Sequence, residues 1–141
     1  AQKGEVVEPL YDGTREVVKE LDASGYLLAI ATGKSMRGLE RVLGSHGITD
    51  SFISLQTADG HPSKPHPSMI QSAISDAGSA PDQTIMVGDT SYDMLMAKSA
   101  SVSGIGVSWG YHDDTILLEN GASKVLDTYA ELPALVKYMI G

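Results

Sequence analysis

Cysteine is absent from the 141 residues. That excludes disulfides, thiolate catalysis and zinc–thiolate sites, and it permits a reducing compartment. Basic residues are scarce, ten Lys and Arg against eighteen Asp and Glu, for a formal net charge of -8. Such a balance argues against nucleic acid or an anionic membrane as partner. No apolar run approaches the roughly 20 residues that span a bilayer, and the opening has no signal-peptide pattern, so a soluble cytoplasmic protein is the expectation. Internal repeats, low-complexity tracts and linkers are also missing. The length suits one domain with a real core and falls short of two, so residues 1–141 are read as a single domain.

The chain is organised around Thr84-Ile85-Met86-Val87-Gly88-Asp89-Thr90-Ser91-Tyr92-Asp93. A short apolar run bounded by turn residues reads as a buried parallel strand, and Met94-Leu95-Met96-Ala97-Lys98 after it has helical spacing. Asp89 then sits at the strand's carboxyl end, the edge where open α/β sheets bind ligands, and Gly88 lets backbone approach one closely. Asp93, one helical turn on, can face the same cavity. Two hard oxygen ligands at one mouth suit Mg²⁺, which keeps several waters and shares a substrate phosphate. The plainer alternative is a turn Asp followed by one on a solvated helix face.

Taken in order, Val17, Val18 and Leu21 keep helical spacing, with Asp12 as N-cap and Gly25 as the stop. Tyr26-Leu27-Leu28-Ala29-Ile30-Ala31 is a strand that ends in Thr32-Gly33-Lys34-Ser35, and Met36, Leu39, Val42 and Leu43 space as a helix halting near Gly44 to Gly47. A short strand over Ser51 to Leu55 leads into a loop holding Lys64, in which prolines forbid a helix until Pro67. Met69, Ile70, Ala73 and Ile74 carry the next helix to Gly78. Beyond the central strand come a strand over Val102 to Val107, the loop Trp109-Gly110-Tyr111-His112, a short helix capped by Asp113, a strand around Lys124-Val125-Leu126, and a helix over Tyr129 to Ile140. Strands alternating with helices predict a Rossmann-like α/β fold, a parallel sheet with helices on both faces.

A parallel sheet puts all its carboxyl ends on one edge, so Thr32 to Ser35, Lys64 and Asp89 to Asp93 should converge. A hydroxyl and a helix N-terminus can hold phosphate oxygens, a lysine can neutralise them, and the acids can hold Mg²⁺. These are the parts of a phosphoryl-transfer site without the attacking group. Other signals fail. The glycine a P-loop needs ahead of Gly33 is Leu28, and Gly104-Ile105-Gly106 lies inside a strand and reads as close packing, not a dinucleotide fingerprint. His61 and His66 lack a third ligand, which favours surface or substrate-rim roles over metal. Met86, Met94 and Met96 read as core filling. Trp109, Tyr111 and His112 are placed at the site's edge, as rim packing or substrate contact.

Ala31-Thr32-Gly33-Lys34-Ser35, Ser63-Lys64-Pro65-His66-Pro67 and Gly88-Asp89-Thr90-Ser91-Tyr92-Asp93 resemble the second, third and fourth motifs of the haloacid dehalogenase-like hydrolases. With the Gly106-Val107-Ser108-Trp109-Gly110 stretch, the chain looks most like the phosphoglycolate phosphatase-like branch. The resemblance covers almost the whole chain. It implies that Thr32, helped by the Gly33 amide, binds the transferring phosphoryl group, that Lys64 neutralises it, and that Asp89 and Asp93, the latter directly or through water, hold Mg²⁺. The implied chemistry is attack by an aspartate on phosphorus, then hydrolysis of the aspartyl-phosphate.

The chain departs from that family at its first motif, a strand ending in Asp-x-Asp-Gly-Thr. The nearest match is Leu10-Tyr11-Asp12-Gly13-Thr14, with Leu10 at the nucleophile position, and Glu5, Glu8 and Pro9 break any strand ahead of it. Asp12-Gly13-Thr14 therefore reads as a decoy, placed where the family's helical cap returns to the core. The expectation is a carboxyl-terminal fragment without the first strand and cap, inactive alone and prone to self-association or rearrangement where the lost strand leaves unpaired edges. The leading function is a Mg²⁺-dependent phosphatase of a small phosphorylated metabolite, or its core. The alternatives are a non-catalytic phosphate-binding or interaction module and a sugar-phosphate mutase of the same fold.

Overall fold

The computed structural model describes residues 2–4, 13–110 and 112–141. It holds a six-stranded, all-parallel sheet in the order β3-β2-β1-β4-β5-β6, formed by β1 (Gln2–Gly4), β2 (Leu28–Ala31), β3 (Phe52–Gln56), β4 (Ile85–Gly88), β5 (Ser103–Val107) and β6 (Ala122–Leu126). Helices α1 (Thr14–Ala23), α2 (Met36–His46), α3 (Ser68–Ala77), α4 (Ser91–Ser99), α5 (Asp114–Glu119) and α6 (Leu132–Ile140) join and cover the strands. Among the described residues no helix is long and apolar enough to cross a membrane.

Side chains alternate along the strands and so divide the core into two layers. Leu28 and Ile30 of β2, Ile85 and Val87 of β4, and Ile105 and Val107 of β5 pack with Val17, Val18 and Leu21 of α1, Leu39, Val42 and Leu43 of α2, and Val136 of α6. Ala31 and Met86 turn to the other face, against Met69 and Ile70 of α3 and Met96 and Ala97 of α4. Met86, Met94 and Met96 are all buried, each burial contributing about 1.5–3 kcal/mol, so the methionines are core. Gly104 and Gly106 admit the helices on that second face. A Cβ at Gly104 would lie 3.0 Å from Met94 Sδ, and one at Gly106 would lie 2.8 Å from Leu117 Cδ1.

One expectation is overturned. The sheet's first strand is expected to be missing, yet Gln2–Gly4 is the central strand, paired on one side with β2 and on the other with β4. A central strand is held through its backbone, and the hydrogen-bonding edges of β2 and β4 accept a segment whatever its side chains say. The slot expected to be empty is filled. Leu10, Tyr11 and Asp12, and with them the decoy reading, lie outside the described residues, as does Tyr111. The position before α1 is Gly13, at φ 85° and with no side-chain cap, where Asp12 was expected to serve.

At the far end, the helix expected from Tyr129 starts with a 3-10 turn, Tyr129–Glu131, before α6. Glu131 Oε2 accepts the amides of Thr128 and Asp127, each at 2.9 Å. The Thr128 amide foremost, then that of Asp127, holds this carboxyl below the ordinary glutamate value. A depressed folded-state value stabilises above the usual carboxylate range and is lost as pH falls through the folded value. Glu131→Gln should therefore flatten the fall of melting temperature between about pH 5 and 3. An unchanged pH profile by thermal circular dichroism would count against the cap.

Candidate phosphate-binding site

The strand order reverses its direction of growth at β1, and ligands of open α/β sheets bind beyond the carboxyl ends at such a point. Gly4 is level with Ile30 on one side and Val87 on the other. Thr32 and Asp89 each lie two residues past that level, on strands separated by roughly 10 Å across β1. The register thus sets a hydroxyl and a carboxylate on opposite sides of the carboxyl end of β1.

Thr32 is 2 % exposed, its amide donates to Gln56 O at 3.0 Å, and its Oγ1 accepts the Lys34 amide at 3.2 Å. The hydroxyl proton can therefore be donated to an anion. Ser35 starts α2 by accepting the Gly38 amide, and Asp59 Oδ2, from the loop after β3, accepts the Met36 amide at 2.8 Å. Ala58 N donates to Lys34 O, so the loops after β2 and β3 are tied together.

Asp93 is fully buried, and both its oxygens are engaged. Oδ1 lies 2.6 Å from Lys64 Nζ, while Oδ2 accepts from Thr90 Oγ1 at 3.0 Å and from Thr90 N at 3.3 Å. Thr90 Oγ1 in turn accepts the Asp93 amide, completing a capping box at the start of α4. Asp93 thus fixes the lysine and the helix terminus together. The sequence reading treated it as a Mg²⁺ ligand, and the geometry gives it this further work.

Gly88 and Gly110 are where the two acids find room. A Cβ at Gly88 would stand 2.4 Å from Asp93 Cβ, so this glycine admits a side chain of its own protein where a ligand was expected. A Cβ at Gly110 would stand 2.1 Å from Asp89 Cβ. His112 completes the wrap: its amide donates to Asp89 O at 3.0 Å, and its Nδ1 accepts the Ser91 amide at 2.8 Å. Its ring is 6.2 Å from that of Tyr92. Trp109 packs edge-on against Tyr129 at 4.8 Å, which makes it wall.

A cavity of about 330 Å³ opens among these groups, lined by Gly33, Ala58, Ser63, Lys64, Met69, Thr90 and Tyr92. A Cβ at Gly33 would meet nothing within 4 Å, so open space adjoins the backbone where a phosphate is expected. A larger cavity, about 580 Å³ between β6 and α6, carries none of this chemistry. Thr32, Gly33, Lys64, Asp89 and Asp93 are therefore gathered at one edge. Among the described residues no group of three or more His, Asp or Glu could hold a metal ion. Asp89 suits Mg²⁺ as a single carboxylate, the count that ion accepts when waters and a phosphate complete its shell. Asp59 and His112 have roles that their spacing did not announce, because their partners belong to other elements.

A doubly wound parallel sheet with these groups at its switch point defines a Rossmann-like core with a candidate site on its carboxyl edge. The family model for haloacid dehalogenase-like hydrolases matches residues 2–107, and the chain belongs to that family. Its relatives include proteins named phosphoglycolate phosphatase. It is 38% identical over 125 residues to the "Probable phosphatase IndB" of Dickeya dadantii, covering 87% of this chain and 54% of that protein. Against the phosphoglycolate phosphatase of Vibrio vulnificus it is 32% identical over 132 residues, 93% of this chain and 58% of the relative. The crystal structure of a predicted phosphoglycolate phosphatase from Haemophilus somnus superposes with a TM-score of 0.82 at 28% identity, covering 89% of this chain and 56% of that one. The chain spans a little over half the length of these relatives.

Proposed function

We propose that this chain is the phosphate- and Mg²⁺-binding core of a phosphatase acting on a small phosphorylated metabolite, phosphoglycolate being the first candidate from its relatives. The observation that carries the reading is the Lys64–Asp93 pair at the cavity mouth, with Thr32 and Asp89 at matching levels across β1. An ammonium has three donors, so Lys64 can bond a phosphate oxygen while held by Asp93. Thr32 Oγ1 and the Gly33 amide orient the phosphoryl group, and the N-terminus of α2 adds a favourable field. Asp89 is the carboxylate that would hold Mg²⁺, and Asp93 serves by aiming Lys64. When bound, the ion would neutralise charge on the phosphate. The covalent step in this reading is attack of an aspartate oxygen on phosphorus with loss of the alcohol, followed by water releasing phosphate and regenerating the carboxylate. Positioning and charge neutralisation do the rest.

The test is release of inorganic phosphate from phosphoglycolate and an aryl phosphate, with Mg²⁺ and with EDTA, by the 141-residue chain and by a longer form carrying the same residues. Turnover is expected only from the longer form, and Asp89→Asn should abolish that Mg²⁺-dependent turnover. Turnover indifferent to EDTA would sink the metal assignment. The commitment of both Asp93 oxygens favours a second reading for the chain alone: phosphate binding without turnover. Absence of turnover from the longer form would extend that reading to the whole.

A further inference from the structure

Lys64 rides on a loop that leaves β3 at Gln56 and enters α3 at Ser68. His61, midway along it, is bonded to both stems. Its Nε2 lies 2.6 Å from Gln56 Oε1 and its Nδ1 lies 2.6 Å from Ser68 Oγ. The bonding continues inward. Gln56 Nε2 donates to Ser54 Oγ at 2.8 Å and to Asp76 Oδ2 at 3.0 Å, and Ser54 Oγ donates to the same carboxylate oxygen at 2.7 Å. His66, on the other side of Lys64, also turns back to Ser68, whose amide donates to its Nδ1 at 3.1 Å.

The hydrogen bonds fix their own directions. An ionised carboxylate only accepts, so Gln56 must present its NH₂ to Asp76 and its carbonyl to His61. His61 Nε2 then carries a proton and donates it, and in the neutral ring Nδ1 accepts from the Ser68 hydroxyl. Ser68, His61, Gln56 and Asp76 form one chain of donors running toward a carboxylate near the C-terminal end of α3.

We infer that His61 is a positioning residue, a clasp that closes the loop from Gln56 to Ser68 and so sets Lys64 against Asp93 and the phosphate. A loop whose ends are drawn together by one internal side chain loses much of its freedom, and the residue it presents is held with the stems. Lys64, at 12 % side-chain exposure and 2.6 Å from its partner, is the residue presented. This inference rests on the phosphate-site reading for its functional meaning, but not for its geometry.

The experiment labels amines of the 141-residue chain with sulfosuccinimidyl acetate and follows Lys64 by mass spectrometry, with exposed Lys98 as internal reference. In the unaltered chain Lys64 should react much more slowly than Lys98. His61→Ala should raise the Lys64 rate up to about tenfold, the upper scale of one lost neutral hydrogen bond, and Ser68→Ala, which removes one of the two His61 bonds, should raise it less. The rise should be confined to Lys64, with little change in melting temperature. A Lys64 rate unchanged in both variants overturns the clasp, as does a rise shared by all lysines with a large drop in melting temperature, which marks general loosening. Should His61→Ala not fold, Ser68→Ala carries the decision. A calorimetric titration with inorganic phosphate is the second arm, where His61→Ala should weaken binding about tenfold. No phosphate binding by the unaltered chain would sink the phosphate site and leave the labelling arm to decide on the clasp.

Discussion

Replacing Asp93 by alanine should lower the melting temperature by roughly 10 °C, at about 3 °C per kcal/mol for a domain of this size. Asp93 is 0 % exposed, and its removal strands the Lys64 ammonium in a place it occupies only because a carboxylate is 2.6 Å away. Breaking a buried pair by deleting one partner costs about 3–5 kcal/mol, and the residual exposure of Lys64 moves this case to the lower end. The same substitution removes half of the capping box with Thr90, worth about 1 kcal/mol more. Asp93→Asn should fall between, because an amide oxygen still accepts from Thr90 while the charge is gone. Pairing Lys64→Met with Asp93→Leu should recover part of the loss, since an apolar pair of similar volume needs no counter-charge. Calorimetry of the single and double variants forms a cycle, and additive losses would show that the pair is not coupled.

The fold was legible because its evidence is local. Ile85 to Gly88 and Leu28 to Ala31 are apolar runs bounded by turn chemistry, and α2 and α3 carry their periodicity openly. Convergence of Thr32, Lys64 and Asp89 followed from parallel order alone, because one sheet edge collects every strand's carboxyl end. Spacing indicates which face a residue shares and says nothing of its partner. Spacing offers Asp93 to a metal by its place one turn after Asp89, and its bonds to Lys64, 29 positions away, and to Thr90 are further work that no spacing announces. His61 and His66 read as surface or substrate-rim residues rather than metal ligands, and their bonds to Gln56 and Ser68 could not be foreseen, since any sequence offers such groups in quantity. The central strand Gln2–Gly4 left no trace in side-chain pattern because the sheet holds it by backbone pairing.

Alanine at Gly88 and at Gly110 should fail in different ways, although both add the same methyl beside an acid. At Gly88 the Cβ would stand 2.6 Å from Asp93 Cγ and 2.4 Å from Asp93 Cβ, the latter fixed to the α4 backbone so that no rotamer change can withdraw it. The methyl sits on β4, paired on both sides, so neither strand nor helix can yield cheaply. A loss of about 3 kcal/mol or more is expected, at the upper end for overpacked cores, with Lys64 displaced as Asp93 moves. At Gly110 the clash is with Asp89 Cβ at 2.1 Å, but the glycine belongs to the loop after β5, which can shift with the His112 contacts that tie it to Asp89 and Ser91. Its loss of stability should be nearer 1 kcal/mol, and its main effect should be to re-aim the Asp89 carboxylate. Melting with and without saturating Mg²⁺ separates the two, because a ligand that binds only the folded chain raises its stability in proportion to the logarithm of its excess over Kd. Gly88→Ala should melt far lower in either condition, whereas Gly110→Ala should melt near the unaltered chain and lose the Mg²⁺ increment. A Gly110→Ala chain that keeps the full increment would show that Asp89 is not the residue that holds the ion.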